Sequence, residues 1–297
     1  MTLFLLILTA VVGGLNPAIV KYIVAEFSPF GALTMRFVLA FLVLLPLAYK
    51  NKYLVIKKLD KNMVLANLLF AGNTIIFALA ISYTSVIASQ FVYLITPLLV
   101  AVLGYFLIKE EINKFQLIGL ILSLIGTTAL IFNSLFNPDL LSNGTFIGNI
   151  GMVAAILFWS FYIVMSRKIS KKYSPLQITF NNFAITALIA VVIAPFIISA
   201  DKIVNNLNLL SAAAMLWSVF VASIIFFYLY QWVIKKTSAF SASLISYLSV
   251  AVTTIAGSVF FGEHFTTNMI LGILLIITGV VFANTHQYAR NYINKWK

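Results

Sequence analysis

Residues 84–130, TSVIASQFVYLITPLLVAVLGYFLIKEEINKFQLIGLILSLIGTTAL, lie over residues 237–283, TSAFSASLISYLSVAVTTIAGSVFFGEHFTTNMILGILLIITGVVFA, without a gap at an offset of 153. Thr84-Ser85 falls on Thr237-Ser238, Gly104 on Gly257, Glu110 on Glu263, Gly119 on Gly272, Leu122 on Leu275 and Gly126 on Gly279. Seven identities in 47 positions are few. The match is carried by their chemistry, since turn residues, a glutamate after an apolar run and paired glycines coincide. Gly119 and Gly126 stand seven apart, on nearly one helix face, as do Gly272 and Gly279. Small residues let membrane helices approach closely, so these four read as packing positions.

Working outward, the preceding segments match at an offset of 146: Lys21 with Arg167, Ser28-Pro29 with Ser174-Pro175, Phe37 with Phe183. Between these landmarks the chain is almost free of charge. Asp, Glu, Lys and Arg are absent from 1–20, 62–108, 115–138, 140–166, 173–200, 203–234, 237–262 and 264–289. A bilayer-crossing helix needs about 20 mostly apolar residues. The 47-residue gap at 62–108 therefore holds two, parted at Ser82-Tyr83-Thr84-Ser85. Ten helices are expected, at 3–24, 29–49, 62–81, 86–108, 115–133, 147–167, 175–199, 210–234, 239–261 and 267–285. Read as a signal peptide, residues 1–20 would need a basic start and a small-residue cleavage site; neither is there.

Composition agrees. Of 297 residues 62% are hydrophobic and 9% charged, against ~45–50% and ~25% in soluble domains. The net charge of +12 would suggest nucleic acid in a soluble chain. Here its placement gives another meaning. Sixteen of the nineteen basic residues fall on one side of the alternating spans: loops 50–61, 109–114, 167–174 and 235–238 and the tail. Only Lys21 and Lys202 fall on the other side, and Arg36 lies within a span. By the positive-inside rule both termini are cytoplasmic, no nucleic-acid partner is implied, and the lipid bilayer is the surrounding partner.

The expected fold is thus an all-α polytopic membrane protein with ten transmembrane helices as two five-helix inverted-topology repeats. Residues 1–133 form the first repeat, 134–146 an extracytoplasmic linker, 147–285 the second repeat and 286–297 a basic cytoplasmic tail. Five helices per repeat is odd, so the second copy enters from the opposite face, a construction typical of secondary transporters. The sequon Asn143-Gly144-Thr145 falls in the outer linker and reads as chance.

The chain resembles the EamA family of the drug/metabolite transporter superfamily. Copy one carries Gly14, Asn16, Lys21, Ser28-Pro29, Arg36-Phe37, Pro97, Glu110, Gly119 and Gly126; copy two carries Trp159, Arg167, Ser174-Pro175, Glu263, Gly272 and Gly279. It departs from the pattern at Gly13, where the first copy usually has Trp, at Asn182 in place of the second-helix Arg, and at Val250 in place of the second Pro. The resemblance implies ten helices and export or import of amino acids or other small metabolites across the cell membrane.

Polar residues inside apolar spans usually face a bundle interior or a water-filled cavity. Gly13-Gly14-Leu15-Asn16-Pro17 reads as an interrupted helix, since Pro17 lacks an N–H and frees a carbonyl one turn back; a packed kink is the other reading. Gln90, Tyr93 and Pro97 share a stripe on the fourth helix. Trp159 and Tyr162 stand three apart on the sixth helix and Tyr228 and Gln231 on the eighth. Ser243, Ser246 and Tyr247 fall on the ninth, and Asn73 in mid-third helix. Together they make a candidate substrate-binding cavity of amide and aromatic character, each also readable as packing or interfacial anchoring. Arg36 reads either as an anion anchor or as a strut bonded to backbone carbonyls, and Lys21 as a gate near the surface.

With Cys 0 and His 2, thiol chemistry and a histidine-rich metal site are excluded, and no metal or cofactor is expected. No Asp or Glu falls mid-span, which argues against a carboxylate proton relay. The expected function is a secondary transporter moving a small metabolite, an amino acid or related amphipathic compound, by alternating access in the export direction. A channel or lipid flippase is the alternative. An intramembrane enzyme would need paired Asp, a Ser–His pair or a metal cluster. Substrate and oligomeric state stay open.

Overall fold

The computed structural model describes residues 2–53, 60–84, 89, 92–135, 146–197, 206–261 and 267–293, with side chains over 4–53, 60–84, 89, 92–129, 146–194, 206–253 and 270–284. Regular structure among them is entirely helical: α1 Thr2–Phe27, α2 Pro29–Lys50, α3 Lys61–Ile81, α4 Thr96–Ile108, α5 Lys114–Leu135, α6 Phe146–Ser170, α7 Pro175–Ile197, α8 Leu209–Lys236, α9 Ala239–Ser243, α10 Ile245–Phe261 and α11 Thr267–Ile293. Of these α1, α2, α3, α6, α7 and α8 are long and apolar enough to cross a membrane, and α4, α5, α9–α10 and α11 contain shorter apolar helices. Leu42, Val192 and Leu274 are half exposed on the outside of the bundle, a surface suited to acyl chains rather than water.

Local chemistry sets the ends. Ser28 and Ser174 each precede a proline that opens a helix, and their hydroxyls accept the Gly31 and Gln177 N–H groups at 3.3 and 3.1 Å. This serine cap followed by Pro at N1 satisfies a donor that the helix start would otherwise leave bare. Asp60 does the same for α3, accepting from Asn62 N–H, while its other oxygen accepts from Lys172 Nζ and Tyr173 Oη, all at 2.9–3.0 Å. The Lys172 hydrogen bond, with Tyr173, holds the Asp60 carboxyl down at about 2. A depressed carboxyl stabilises above its unfolded value and loses that stabilisation as pH falls through the folded one. Asp60→Asn should therefore lower the melting temperature at pH 6 and lower it much less at pH 2, read by thermal denaturation in detergent.

Three expected features come out differently. The first helix is unbroken through Pro17, and α10 packs beside it. Thr253 Oγ1 donates to Gly14 O at 2.7 Å and Ser249 Oγ to Ala10 O at 3.3 Å. The expected helix 239–261 is parted at Leu244; Ser243 Oγ turns back to Phe240 O at 2.6 Å, the local competition that serines offer a helix. And α11 runs to Ile293, well into the expected tail, since nothing between Gly279 and Ile293 breaks a helix. Of the expected span 86–108, residues 86–88, 90 and 91 lie outside the described residues.

Packing follows the repeat landmarks. The most extensive helix pair is α5 with α11. A Cβ at Gly119 would meet Gly279 O and stand 2.6 Å from Ala283 Cβ, and one at Gly126 would stand 2.7 Å from Gly272 O. Contacts that rise on one helix and fall on the other make the pair antiparallel. They are also reciprocal, since the offset of 153 turns the pair 119/279 into 272/126. Ser123 Oγ donates to Ile276 O at 3.5 Å, again two positions 153 apart. On α2 and α7, Phe37 and Phe183, matched at an offset of 146, meet with ring centroids 5.5 Å apart.

Candidate functional site

Helices α1, α2, α3, α6, α8 and α10, with Tyr93, enclose a cavity holding about 130 Å³ of space open to the centres of water molecules. That is room for several waters or a small metabolite. Asn16, Pro17 and Val20 line it from α1, Ala32 and Arg36 from α2, Asn73, Thr74 and Phe77 from α3, Trp159 from α6, Phe226, Phe227 and Tyr230 from α8, and Ser246 and Ser249 from α10. It reaches toward the end of the bundle that holds the α1–α2 turn, through Ile23, Val24 and Leu33.

Arg36 is 8% exposed and is the one charged side chain among the described residues that line this space. Its Nε donates to Ser223 Oγ at 2.7 Å and one Nη2 hydrogen to Ala222 O at 2.9 Å. Both acceptors belong to a π-helical segment of α8, Phe220–Ile225. There the Phe226 N–H reaches Val221 O, five residues back. The widened turn lets a carbonyl of α8 face a neighbour, a geometry frequent at functional sites. One edge of Arg36 is thus a strut to α8, as one of its two sequence readings has it, and Nη1 has no hydrogen-bond partner among the described residues.

Asn73 Nδ2 donates to Ala155 O at 2.8 Å and Tyr93 Oη at 3.2 Å, which fixes both side chains at the wall. Asn16 Oδ1 and Tyr230 Oη are buried without a hydrogen-bond partner among the described residues. Such groups are costly unless something fills them.

Below the cavity the rings of Phe70 and Trp159 pack on Tyr162, and Phe183 and Phe227 pack on Phe70 and on each other, with Phe70 and Phe227 centroids 4.7 Å apart and Trp159 and Tyr162 5.2 Å apart. Under this floor lies a second polar group. Tyr162 Oη accepts from Asn182 Nδ2 and from Gln231 Nε2, and the latter also donates to Ser166 Oγ at 3.1 Å. All four residues are at most 1% exposed. Further along, Glu110 accepts the Ala239 and Phe240 N–H groups at 3.2 and 3.0 Å and lies 3.6 Å from Arg167 Nε. Arg167 Nη1 donates to Ile234 O at 2.8 Å and Lys235 O at 3.1 Å. One carboxylate and one guanidinium thereby tie together α6, the end of α8 and the start of α9.

Asn16, Asn73, Tyr93, Trp159, Ser246 and Arg36 therefore gather on one cavity. Tyr162 and Gln231 sit beneath its floor, and Ser243 and Tyr247 are buried elsewhere. Lys21 Nζ donates to Thr84 O at 2.7 Å. Gln90 lies outside the described residues. Tyr228 is 38% exposed and does not line the cavity. At about 100° per residue the buried stripe of α8 centres between Phe227, Tyr230, Gln231 and Ile234, and Tyr228 points about 110° away from it. Sequence reading missed Thr74, Phe77, Phe226, Phe227, Tyr230 and Ser249. Tyr230 could have been found as the residue beside Gln231 that shares the stripe with Phe227 and Ile234.

The model of the EamA-like transporter family matches residues 1–132 and 146–285. An "Uncharacterized transporter" of Clostridium kluyveri is 23% identical over 90% of this chain and 87% of its own length. "Uncharacterized transporter YyaM" of Bacillus subtilis is 27% identical over 89% and 87%. A Salmonella typhimurium protein named "Probable amino-acid metabolite efflux pump" is 26% identical over 60% of each chain. A crystal structure superposes with a TM-score of 0.74 over 95% of this chain and 96% of the other, at 18% identity, a likeness of fold.

Proposed function

The chain belongs to the EamA-like transporter family, and from that premise we propose that it is a secondary carrier working by alternating access. Family and named relatives are transporters or efflux pumps, so it is a multi-pass membrane transporter and not an enzyme. The carrier has ten transmembrane helices in two inverted repeats, 1–133 and 147–285, joined by an outer linker. Both termini and the tail 286–297 are cytoplasmic, and it sits in the cell membrane. The reciprocal contacts of α5 with α11 and of Phe37 with Phe183 support this arrangement. Residues made equivalent by a two-fold axis touch one another only near that axis.

One observation carries the mechanism. At an offset of 146 Asn16 corresponds to Tyr162 and Arg36 to Asn182. The first pair lines a cavity, while the second is fully buried and hydrogen-bonded together. Equivalent positions in opposite states are what a carrier of two inverted halves displays in one of its two conformations. By the charge asymmetry of the loops, the open side is outer and the closed side cytoplasmic.

The cargo is a small metabolite, an amino acid or a related amphipathic compound, moved outward. The name of the Salmonella relative and the mixed amide and aromatic lining support that choice. Among the described residues no carboxylate lines the cavity, so transport runs by exchange or down the solute gradient without a carboxylate proton relay. Proteoliposome flux should survive collapse of a pH gradient; flux that stops with it overturns this point. A channel is the second reading, and counterflow separates the two. The site is tested by Trp159→Ala and Asn73→Ala. Each should weaken binding at least about tenfold, the order of one lost aromatic or hydrogen-bond contact, as read by calorimetric titration with the transported solute. Unchanged affinity in both removes the site.

A further inference from the structure

We infer that the substrate presents a carboxylate to Arg36, and that the site requires this group but no ammonium group beside it. The inference rests on the carrier reading of the cavity and goes further in naming the charge of what it carries.

The cavity holds one fixed positive charge and, among the described residues, no acidic side chain. Arg36 is buried and bonds two neutral oxygens, Ser223 Oγ and Ala222 O. Neutral acceptors orient a guanidinium without cancelling its charge, and a buried charge without a counter-charge is costly. What remains free among the described residues is the outer end of the guanidinium, both Nη1 N–H groups and the second N–H of Nη2, so that one N–H on each nitrogen points the same way. A guanidinium edge of this kind matches a carboxylate better than a single carbonyl or hydroxyl. The bonds to the π-helical segment of α8 hold the guanidinium at the cavity wall, so an incoming anion meets an ordered partner.

The rest of the cavity suits what a small acid has besides its carboxylate. Phe77, Phe227 and Trp159 give apolar walls. Tyr230 is 2% exposed, and its hydroxyl and Asn16 Oδ1 have no hydrogen-bond partner among the described residues, so both are left to serve a polar group of the substrate. Those two are neutral. An ammonium group would find hydrogen bonds and ring faces there, but no charge to meet it. Copy two has Asn182 at the position of Arg36, already bonded to Tyr162, so the second-helix arginine occurs once and one carboxylate satisfies it.

The test measures binding of paired probes to the purified full chain by calorimetry and ligand-induced thermal shift, and exchange in proteoliposomes. Acids from acetate to 3-phenylpropionate are each set against their primary amide, with L-phenylalanine and phenethylamine added. At least one acid should bind about 100-fold more tightly than its amide, the scale of a lost buried charge pair. 3-Phenylpropionate should bind within about tenfold of L-phenylalanine, and phenethylamine should fail to bind. Arg36→Gln should abolish the preference for acid over amide, and Arg36→Lys should restore part of it. Ligand-free melting of both variants shows that each is folded.

The inference is overturned if no acid binds, if an amide binds as well as its acid, if only the amino acid binds, or if Arg36→Gln keeps the preference. Counterflow of a neutral or cationic solute would leave the carrier standing and remove the charge assignment. Acid binding without counterflow would do the reverse.

Discussion

Gly119→Ala and Gly279→Ala protein should melt well below wild type in detergent, whereas Gly104→Ala should melt at or above it. The substitution is the same in each case; only what the new methyl meets differs. At Gly119 it enters the backbone of α11, against Gly279 O and 2.6 Å from Ala283 Cβ; at Gly279 it stands 2.6 Å from Gly119 O. Neither neighbour can swing aside, because each is helix backbone or a methyl fixed to it. Two helices would have to separate, at a cost of about 1–3 kcal/mol or more per site for overpacking. The added methyl returns about 1 kcal/mol in helix propensity. At Gly104 the nearest atom is Glu110 Cβ at 3.7 Å, an ordinary contact, so the propensity gain stands alone. Leucine at Gly119 or Gly279 should leave no folded protein to purify. Equal melting temperatures for Gly119→Ala and Gly104→Ala would show that α5 and α11 do not pack through these glycines.

The second large effect concerns the Glu110–Arg167 cluster. Glu110 accepts two backbone N–H groups of α9 and faces Arg167, which itself holds the last carbonyls of α8. Charge-assisted hydrogen bonds of this kind contribute about 1.5–3 kcal/mol. Each 1.4 kcal/mol is tenfold in an equilibrium. If the cluster is made only in the outward-open state, Glu110→Ala should shift the population toward the inward-open state by about 10-fold to 100-fold. The chain has no cysteine, so single thiols can be introduced without background. Ser246→Cys, at the cavity, should react with a membrane-impermeant thiol reagent applied outside. Ser166→Cys, buried beneath the floor, should be protected. Adding Glu110→Ala should expose Ser166→Cys from the cytoplasmic side and protect Ser246→Cys. Unchanged labelling at both positions would make the Glu110 cluster a static brace.

What was legible in the sequence divides along physical lines. Helices announce themselves through length and the exclusion of charge, so α2 and α3 begin and end within a residue of expectation. The glycine pairs also read directly, because close approach in a membrane needs small residues whatever the partner. Phe37 and Phe183 were matched as equivalents in the sequence, but that they touch was not read from it. The side chain facing a cavity was harder to read. Tyr228 and Gln231 satisfy the same spacing rule, yet one looks outward and the other is sealed under the floor, because spacing gives a separation and no absolute direction. Pro17 signals a freed carbonyl, but only the packed structure shows that α1 runs on through it, with α10 hydroxyls donating to the Ala10 and Gly14 carbonyls. The π-helical segment Phe220–Ile225 has no proline or glycine to mark it, and with it went the seat of Arg36.

The central claim is that two halves alternate around this one cavity, and counterflow tests it most directly. Proteoliposomes loaded with excess unlabelled solute are placed in a trace of the labelled solute. The account predicts that uptake of label is faster than into empty vesicles and overshoots equilibrium, because a loaded carrier returns with cargo. Uptake at the same rate with and without internal solute would contradict it and assign the cavity to a channel.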